Sequence, residues 1–177
     1  MQHDVGSAGL VRTGPADLDP ARLRAVFGAF ATGVVAVTAY DERAGGPVGL
    51  AANSFASVSL APPLLSFCVA VTSTSWPRMR TAARIAINVL GAHQRPVCER
   101  FAARGGDKFA GVDWFPSPAG APVVRDSLGW LECTVEHEYP AGDHLIVVAR
   151  VQELSGPHPG GPLLFFRSGY GRFTADP

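Results

Sequence analysis

The chain has 177 residues, of which 47% are apolar, and its formal net charge is zero because 15 acidic residues balance 15 lysines and arginines. This length fits one domain better than two, and the apolar content is enough to bury a substantial core. There is no basic stripe for nucleic acid, and no apolar run approaches the ~20 residues that cross a bilayer, so neither partner is expected.

The N-terminal residues and the cysteines indicate where the protein works. Residues 1–18 are rich in Gly and polar residues and predict a flexible tail, while residues 19–177 form the predicted domain. The first twenty residues lack the apolar core of a signal peptide. The three cysteines are odd in number and lack metal-ligand spacing, so no disulfide framework and no metal site are expected. We therefore expect a cytoplasmic protein.

The first predicted element is a helix. Asp19 supplies an N-cap acceptor, and Pro20 suits the first helical position. Apolar residues then recur at helical spacing from Leu23 to Phe30, which predicts an amphipathic helix that ends at Gly33. Two further short helices are predicted, one in "TSTSWPRMRTAA" with Ser75 as its cap, the other in "HQRPVCERFAA".

The remaining elements are predicted strands. "GVVAVTAY" and "VGLAA" flank a turn and predict a hairpin, and "LLSFCVAV" and "RIAINVL" are typical of buried strands. In "ECTVEHEY" polar and apolar residues alternate, "PAGD" turns the chain, and "HLIVVARVQEL" returns; "PLLFF" and "YGRF" complete seven or eight strands. Because turns join most neighbours, the sheet should be antiparallel and curl into a barrel or sandwich. The sequence has no strand–GxGxxG–helix unit, which argues against a Rossmann domain.

A serine-rich bend after the predicted hairpin is the first candidate site. Asn53, Ser54, Ser57 and Ser59 sit where a strand gives way to a Pro-bounded loop. With nearby backbone N–H groups their side chains could form a neutral anion cradle, to which Arg104 and Lys108 would add positive charge. Alternatively, the serines only cap turns and satisfy local backbone. The residues themselves leave both interpretations open.

Six segments in this order carry a family resemblance: "FATGVVAVT", "GLAANSFASVSLAPPLLSFCV", "IAINVL", "DKFAGVDW", "LECTVEHEYPAGDHLIVVARV" and "PLLFFRSGYGRF". Together they resemble the flavin reductase family of the FMN-binding split barrel, across roughly residues 21–173. The resemblance implies a mainly β fold with short helices, an antiparallel Greek-key split β-barrel. The N-S-F-x-S-V-S-x-x-P-P pattern and the G-D-H turn are specific in combination.

The resemblance also assigns residues to flavin binding. Thr32 and Gly33 match a Thr-Gly pair near the flavin. Ala52, Asn53 and Ser54 would lie along the isoalloxazine edge, and Ser57, Val58 and Ser59 would meet the ribityl phosphate. Lys108 and Phe109 match a Lys-Phe pair that closes over the flavin.

Nicotinamide contacts are implied in two other segments. The resemblance places His144 at the nicotinamide site and has the C-terminal element Arg167, Ser168, Gly169 and Tyr170 touch NAD(P)H. Taken alone, His144 would be a turn-flanking residue satisfied by Asp143.

Three further residues have two interpretations each. Cys68 could lie under the flavin or be a small core residue. Trp76 could contact the adenylate part of FAD or simply pack. His137, on the apolar face of its strand, is expected in a core or an interface.

The implied function is an NAD(P)H:flavin oxidoreductase. NADH or NADPH would reduce FMN or FAD, and the reduced flavin would leave to serve a separate flavin-dependent monooxygenase. The resemblance further implies a homodimer. Two alternatives are a flavin-retaining oxidase of the split-barrel type and a non-catalytic flavin-binding protein.

Overall fold

The structure is a computed structural model that describes residues 18–175. The predicted flexible tail, apart from Leu18, lies outside the described residues. Within them the chain forms three α-helices: α1 Pro20–Phe27, α2 Trp76–Met79 and α3 Arg95–Ala102. None of these helices, in the part of the chain described, is long and apolar enough to cross a membrane.

Twelve strands make up most of the regular secondary structure in the described chain. In order they are β1 Thr32–Gly33, β2 Val35–Asp41, β3 Gly46–Ala52, β4 Ala56–Leu60, β5 Pro63–Ala70, β6 Ile85–Val89, β7 Trp114–Pro116, β8 Pro122–Val124, β9 Gly129–Ala141, β10 His144–Ser155, β11 Leu163–Phe166 and β12 Gly169–Arg172.

The main sheet has seven strands in the order β3-β2-β6-β9-β10-β5-β4, and every pairing in it is antiparallel. The expected hairpin of β2 and β3 pairs Val35 with Ala52 and Asp41 with Gly46. Two smaller sheets, β1-β11-β12 and β7-β8, lie beside it. The predicted mainly β, antiparallel class is therefore confirmed.

The core of the main sheet forms because β-branched and aromatic side chains cover one face of the strands. Phe67 of β5 and Trp76 of α2 meet edge to face, with ring centroids 5.6 Å apart, and both are at most 2% exposed. Trp76 therefore packs in the core, and its indole N–H donates to Glu138 at 3.0 Å. This contact holds α2 against the sheet.

Several local predictions were wrong. Helix α1 ends at Phe27 because Gly28 N–H closes the last turn on Arg24 O at 2.8 Å, so the helix does not reach Gly33. Ser75 makes no side-chain capping bond at α2; the Oγ of Ser73 accepts from Trp76 N–H at 3.2 Å instead.

The strand count differs from expectation, and one histidine lies outside the core. Twelve strands form in residues 18–175 where seven or eight were predicted. Strands β1, β7 and β8 have only two or three residues and carry no readable alternation, and β4 lies in the segment that was interpreted as a serine-rich loop. His137 is exposed in the single chain and so is not a core residue, and its ring lies 5.7 Å from that of Tyr139. Its place in an interface stays a prediction. A bulge that shifts the pairing between Val148 and Ala149 breaks the alternation beside His137.

Candidate active site

A cavity of about 600 Å³ opens at one end of the main sheet, and we call it the main cavity. Its size lies within the range usual for small-molecule sites. The ends of β3 and β5, the segment after β5, the C-terminal end of α3 and the start of β10 surround it. The polar and charged members of its lining are Asn53, Ser54, Thr72, Ser73, Thr74, Arg104, Lys108 and His144.

The first wall of the main cavity is the bend that follows β3. Ser54 Oγ accepts a hydrogen bond from Cys68 N–H at 2.8 Å, which ties the bend to β5. Ala52 is buried beneath the bend, whereas the exposed Asn53 amide makes no hydrogen bond to another described residue. Asn53 is thus held in place by its neighbours while its donors and acceptor stay available to a ligand.

Positive charge faces the main cavity from the opposite side. Lys108 Nζ donates to Ser75 Oγ and to Phe101 O, each at 3.0 Å, and Arg104 lines the cavity nearby. Burial lowers the pKa of Lys108 because the protein hydrates the ammonium less well than water does. No acidic side chain among the described residues lines this cavity, so its field favours an anion.

His144 enters the main cavity from the turn between β9 and β10. Gly142 takes a left-handed backbone conformation there, with φ of 64°, which suits glycine in a tight hairpin. The Nδ1–H of His144 donates to Asp143 Oδ1 at 2.7 Å, which leaves Nε2 for another partner. That hydrogen bond lowers the pKa of the Asp143 carboxyl.

A small pocket of about 150 Å³ adjoins the main cavity, sharing Ala51, Ala52, Asn53 and Ala102 with it. Tyr170 and Cys98 line this pocket, and the Tyr170 hydroxyl lies 3.3 Å from Cys98 Sγ. The hydrogen bond with Cys98, together with burial, raises the pKa of Tyr170 to about 12. The Arg95 guanidinium lies 5.2 Å from the centre of the Tyr170 ring. Tyr170 is thus neutral and fixed between a thiol and a cation.

The other C-terminal residues of the predicted site form the turn between β11 and β12. Arg167 and Ser168 both have positive φ, 47° and 63°, a conformation that non-glycine residues seldom adopt. Arg167 N–H donates to Gly28 O at 2.8 Å and so joins the turn to the end of α1. Neither residue lines the main cavity; Gly169 follows them at the start of β12.

The predicted phosphate contacts lie on an edge strand. Ser57, Val58 and Ser59 belong to β4, where the pairing with β5 shifts, and none of them lines the main cavity. Ser59 Oγ accepts from Ala61 N–H at 3.2 Å, a local turn contact. Val58 is 53% exposed. Their assignment to the flavin phosphate stays a prediction.

Three more predicted contacts, Thr32, Gly33 and Phe109, do not line the main cavity. Thr32 and Gly33 pair with β11, and Thr32 Oγ1 is buried without a hydrogen-bond partner among residues 18–175. Phe109 is only 7% exposed and packs on Phe101 with ring centroids 5.0 Å apart. The structure therefore brings together Ala52, Asn53, Ser54, Lys108 and His144 as one cavity lining.

The sequence interpretation overlooked Thr72, Ser73 and Thr74 as cavity residues and left Cys68 undecided. The structure places Cys68 in the lining of the main cavity. The signal was present: in β5 the buried residues Leu65, Phe67 and Val69 alternate with partly exposed ones, of which Cys68 is one. In residues 18–175, no group of three His, Cys, Asp or Glu side chains could hold a metal ion.

Residues 27–174 match the family model described as the flavin reductase like domain. The chain belongs to this family. The reductase subunit HsaB of a flavin-dependent monooxygenase from Rhodococcus jostii is 44% identical over 153 residues, which cover 86% of this chain and 77% of that protein. A flavin reductase of Pseudomonas putida is 44% identical over 158 residues, which cover 89% of this chain and 92% of that protein.

A solved structure supports the same placement within the flavin reductase family. The NADH:FAD oxidoreductase of Streptomyces globisporus, determined in complex with NAD and FAD fragments, superposes with a TM-score of 0.84 at 35% identity. The match covers 93% of this chain and 98% of that one. The predicted family and the split-barrel fold are confirmed.

Proposed function

We propose that this protein is an NAD(P)H-dependent flavin reductase that transfers hydride from NADH or NADPH to FMN or FAD. The observation that carries the proposal is the main cavity, where Asn53, Lys108 and His144 converge in a member of the flavin reductase family. The relatives named as flavin reductase and as NADH:FAD oxidoreductase support the same activity.

The residues present suit a flavin. The main cavity offers an unpartnered amide at Asn53 and cations at Arg104 and Lys108, which match the polar ring edge and the phosphate of a flavin. Thr32, whose buried hydroxyl lacks a partner in the described chain, sits at a position that the family resemblance assigns to the flavin. A ligand would satisfy that hydroxyl.

The protein's part in the reaction is orientation and electrostatics, because the nicotinamide and the flavin carry the hydride chemistry themselves. Ser54, fixed to β5, would set the position of Asn53 along the ring edge of a bound flavin. His144, fixed by Asp143, would hold the nicotinamide. Such positioning can supply a large part of the rate, since the reacting atoms of the donor and the acceptor would have to lie about 3–3.5 Å apart.

We also propose that the reduced flavin leaves for a separate flavin-dependent monooxygenase. The relative HsaB is a reductase subunit of such an enzyme, which supports this role. The free thiols of Cys68, Cys98 and Cys133 suit a reducing compartment, and we place the protein in the cytoplasm.

A homodimer is the assembly we propose. Helix α1 has no buried residue, and its apolar side chains at Val26 and Phe27 are 71% and 70% exposed; Phe30, just after it, is 76% exposed. A second copy would remove this apolar face from water. The long β9–β10 hairpin, where Leu154 is 58% exposed, is the other candidate contact.

The test of the function is an assay of nicotinamide absorbance with purified protein. We expect NADH or NADPH oxidation whose rate grows with added free FMN or FAD. Reduction of bound flavin without turnover of free flavin would instead indicate a flavin-retaining oxidase. Flavin binding with no oxidation of either nucleotide would indicate a non-catalytic flavin-binding protein.

A further inference from the structure

A second cavity of about 300 Å³ adjoins the main cavity beyond Lys108, and we call it the side cavity. Thr74, Gly105 and Lys108 line both, so the two spaces meet at these residues. The strand β3, the start of α2 and the loop before Phe109 provide the rest of its walls: Pro47, Val48, Gly49, Ser75, Arg78, Gly106 and Asp107.

Lys108 marks the boundary between the two cavities. Its ammonium is held by Ser75 Oγ and Phe101 O, so it cannot swing freely to either side. In the proposed function this cation faces the flavin phosphate. FAD differs from FMN by an adenylate joined to that same phosphate. Whatever is attached beyond the phosphate would therefore extend into the side cavity.

Arg78 gives the side cavity its phosphate-binding chemistry. Its Nε donates to Asp41 Oδ2 at 2.7 Å, which fixes the plane of the guanidinium. The two terminal nitrogens make no hydrogen bond within residues 18–175, and the side chain is 49% exposed. A fixed guanidinium with free terminal donors suits the oxygens of a phosphate.

Asp107 adds an acceptor to the same side cavity. Its Oδ1 accepts from Phe109 N–H at 2.9 Å, and its Oδ2 has no partner among the described residues. A carboxylate is suited to ribose hydroxyls, which donate, and repels a further phosphate. This pairing of one phosphate ligand with one sugar ligand fits an adenylate better than an isolated anion.

We propose that the side cavity binds the adenylate half of FAD and that the enzyme therefore prefers FAD to FMN. The proposal rests on the proposed flavin reductase function. Arg78 would bind the adenylate phosphate and Asp107 the ribose, while Trp76 is buried and takes no part. The 2′-phosphate of NADPH is the alternative ligand that Arg78 could bind in the side cavity. The experiment distinguishes it from the adenylate of FAD.

The experiment measures Kd for FMN and FAD by fluorescence quenching, and KM for NADH and NADPH with FMN as acceptor. We expect the wild-type protein to bind FAD at least about tenfold more tightly than FMN. In Arg78→Gln the Kd for FAD should rise about tenfold more than that for FMN, the effect of one lost charge-assisted contact. Pro47→Trp, which fills the side cavity from a residue that does not line the main cavity, should do the same.

One variant serves as a control. Arg80→Gln removes a nearby charge that pairs with Glu138 outside both cavities. It should keep the FAD preference.

Equal affinity for the two flavins in the wild type would overturn the proposal and leave the reductase function intact. A change in the NADPH to NADH ratio alone in Arg78→Gln would assign the side cavity to NADPH and overturn it too. Failure to bind or reduce either flavin would overturn both proposals.

Discussion

The imidazole of His144, which lines the main cavity, donates to the carboxylate of the preceding residue, Asp143, with 2.7 Å between Nδ1 and Oδ1. The interpretation of His144 as a turn residue satisfied by Asp143 is therefore compatible with its proposed place at the nicotinamide site. The residue flanks a turn and is satisfied by its neighbour, and the same bond fixes the ring at the cavity mouth. A side chain that is 44% exposed would otherwise sample several rotamers.

Replacing His144 with alanine should lower kcat/KM for NADH by about 10- to 100-fold, because the nicotinamide loses a positioned contact. Flavin affinity should change little. Steady-state kinetics with varied NADH and separate flavin titrations provide the measurement. Asp143→Asn, which keeps the ring but weakens its orientation, should give a smaller loss. An unchanged dependence on NADH would show that His144 has no such role.

The double variant Ser57→Ala with Ser59→Ala should weaken flavin binding by about 1–3 kcal/mol, the effect of leaving phosphate acceptors unpaired. Stability should change by no more than about 0.5 kcal/mol, since both residues lie on the edge strand β4. Ser54→Ala is the informative comparison: it removes the bond to Cys68 N–H and should cost about 1 kcal/mol of unfolding free energy. A double variant with wild-type Kd would contradict the phosphate assignment.

Phe109→Ala should lower the free energy of unfolding by about 3–5 kcal/mol, because the ring is buried against Phe101 and Trp114. Phe109→Leu should cost less, since it leaves a smaller cavity. Urea denaturation followed by tryptophan fluorescence measures both. A loss of flavin affinity without a loss of stability would instead mean that Phe109 acts directly on the flavin.

The ion pair of Asp41 and Arg78 predicts a pH dependence. The hydrogen bond from Arg78 lowers the pKa of the Asp41 carboxyl below its ordinary 3.8. The native state then binds fewer protons than the unfolded chain, so the pair's contribution is complete above pH 3.8 and is lost as pH falls through the lowered pKa. Asp41→Asn should be less stable than wild type at pH 7, and the difference should shrink in acid. A difference that is constant with pH would contradict this.

Phe27→Glu combined with Phe30→Glu should convert a dimer into monomers. In the single chain these two side chains are 70% and 76% exposed, and in the dimer the new charges would have to lose their hydration at the interface. Light scattering after size-exclusion chromatography gives the mass. Leu154→Glu places the same charge on the β9–β10 hairpin. If only Leu154→Glu dissociates the protein, the hairpin is the interface; a wild-type monomer would refute the dimer.

The sequence by itself determined the hairpins and the type of most elements. The period-two alternation of β9, the turn at Gly142 and the first-turn proline of α3 are local signals, and local backbone preferences are enough to produce them. The family's segments, in order along the chain, likewise predicted five of the residues that line the main cavity. Among them are Asn53 and His144.

Only the tertiary structure decided which of these residues meet and which are occupied by the fold. The main cavity joins Asn53, Lys108 and His144, which are far apart in the chain, and no local pattern encodes their distance. Burial of Phe109 and the exposed face of α1 likewise depend on what packs against each element. The side cavity depends on the approach of α2 to β3, which is set by core packing around Trp76 and by no feature of the segments themselves.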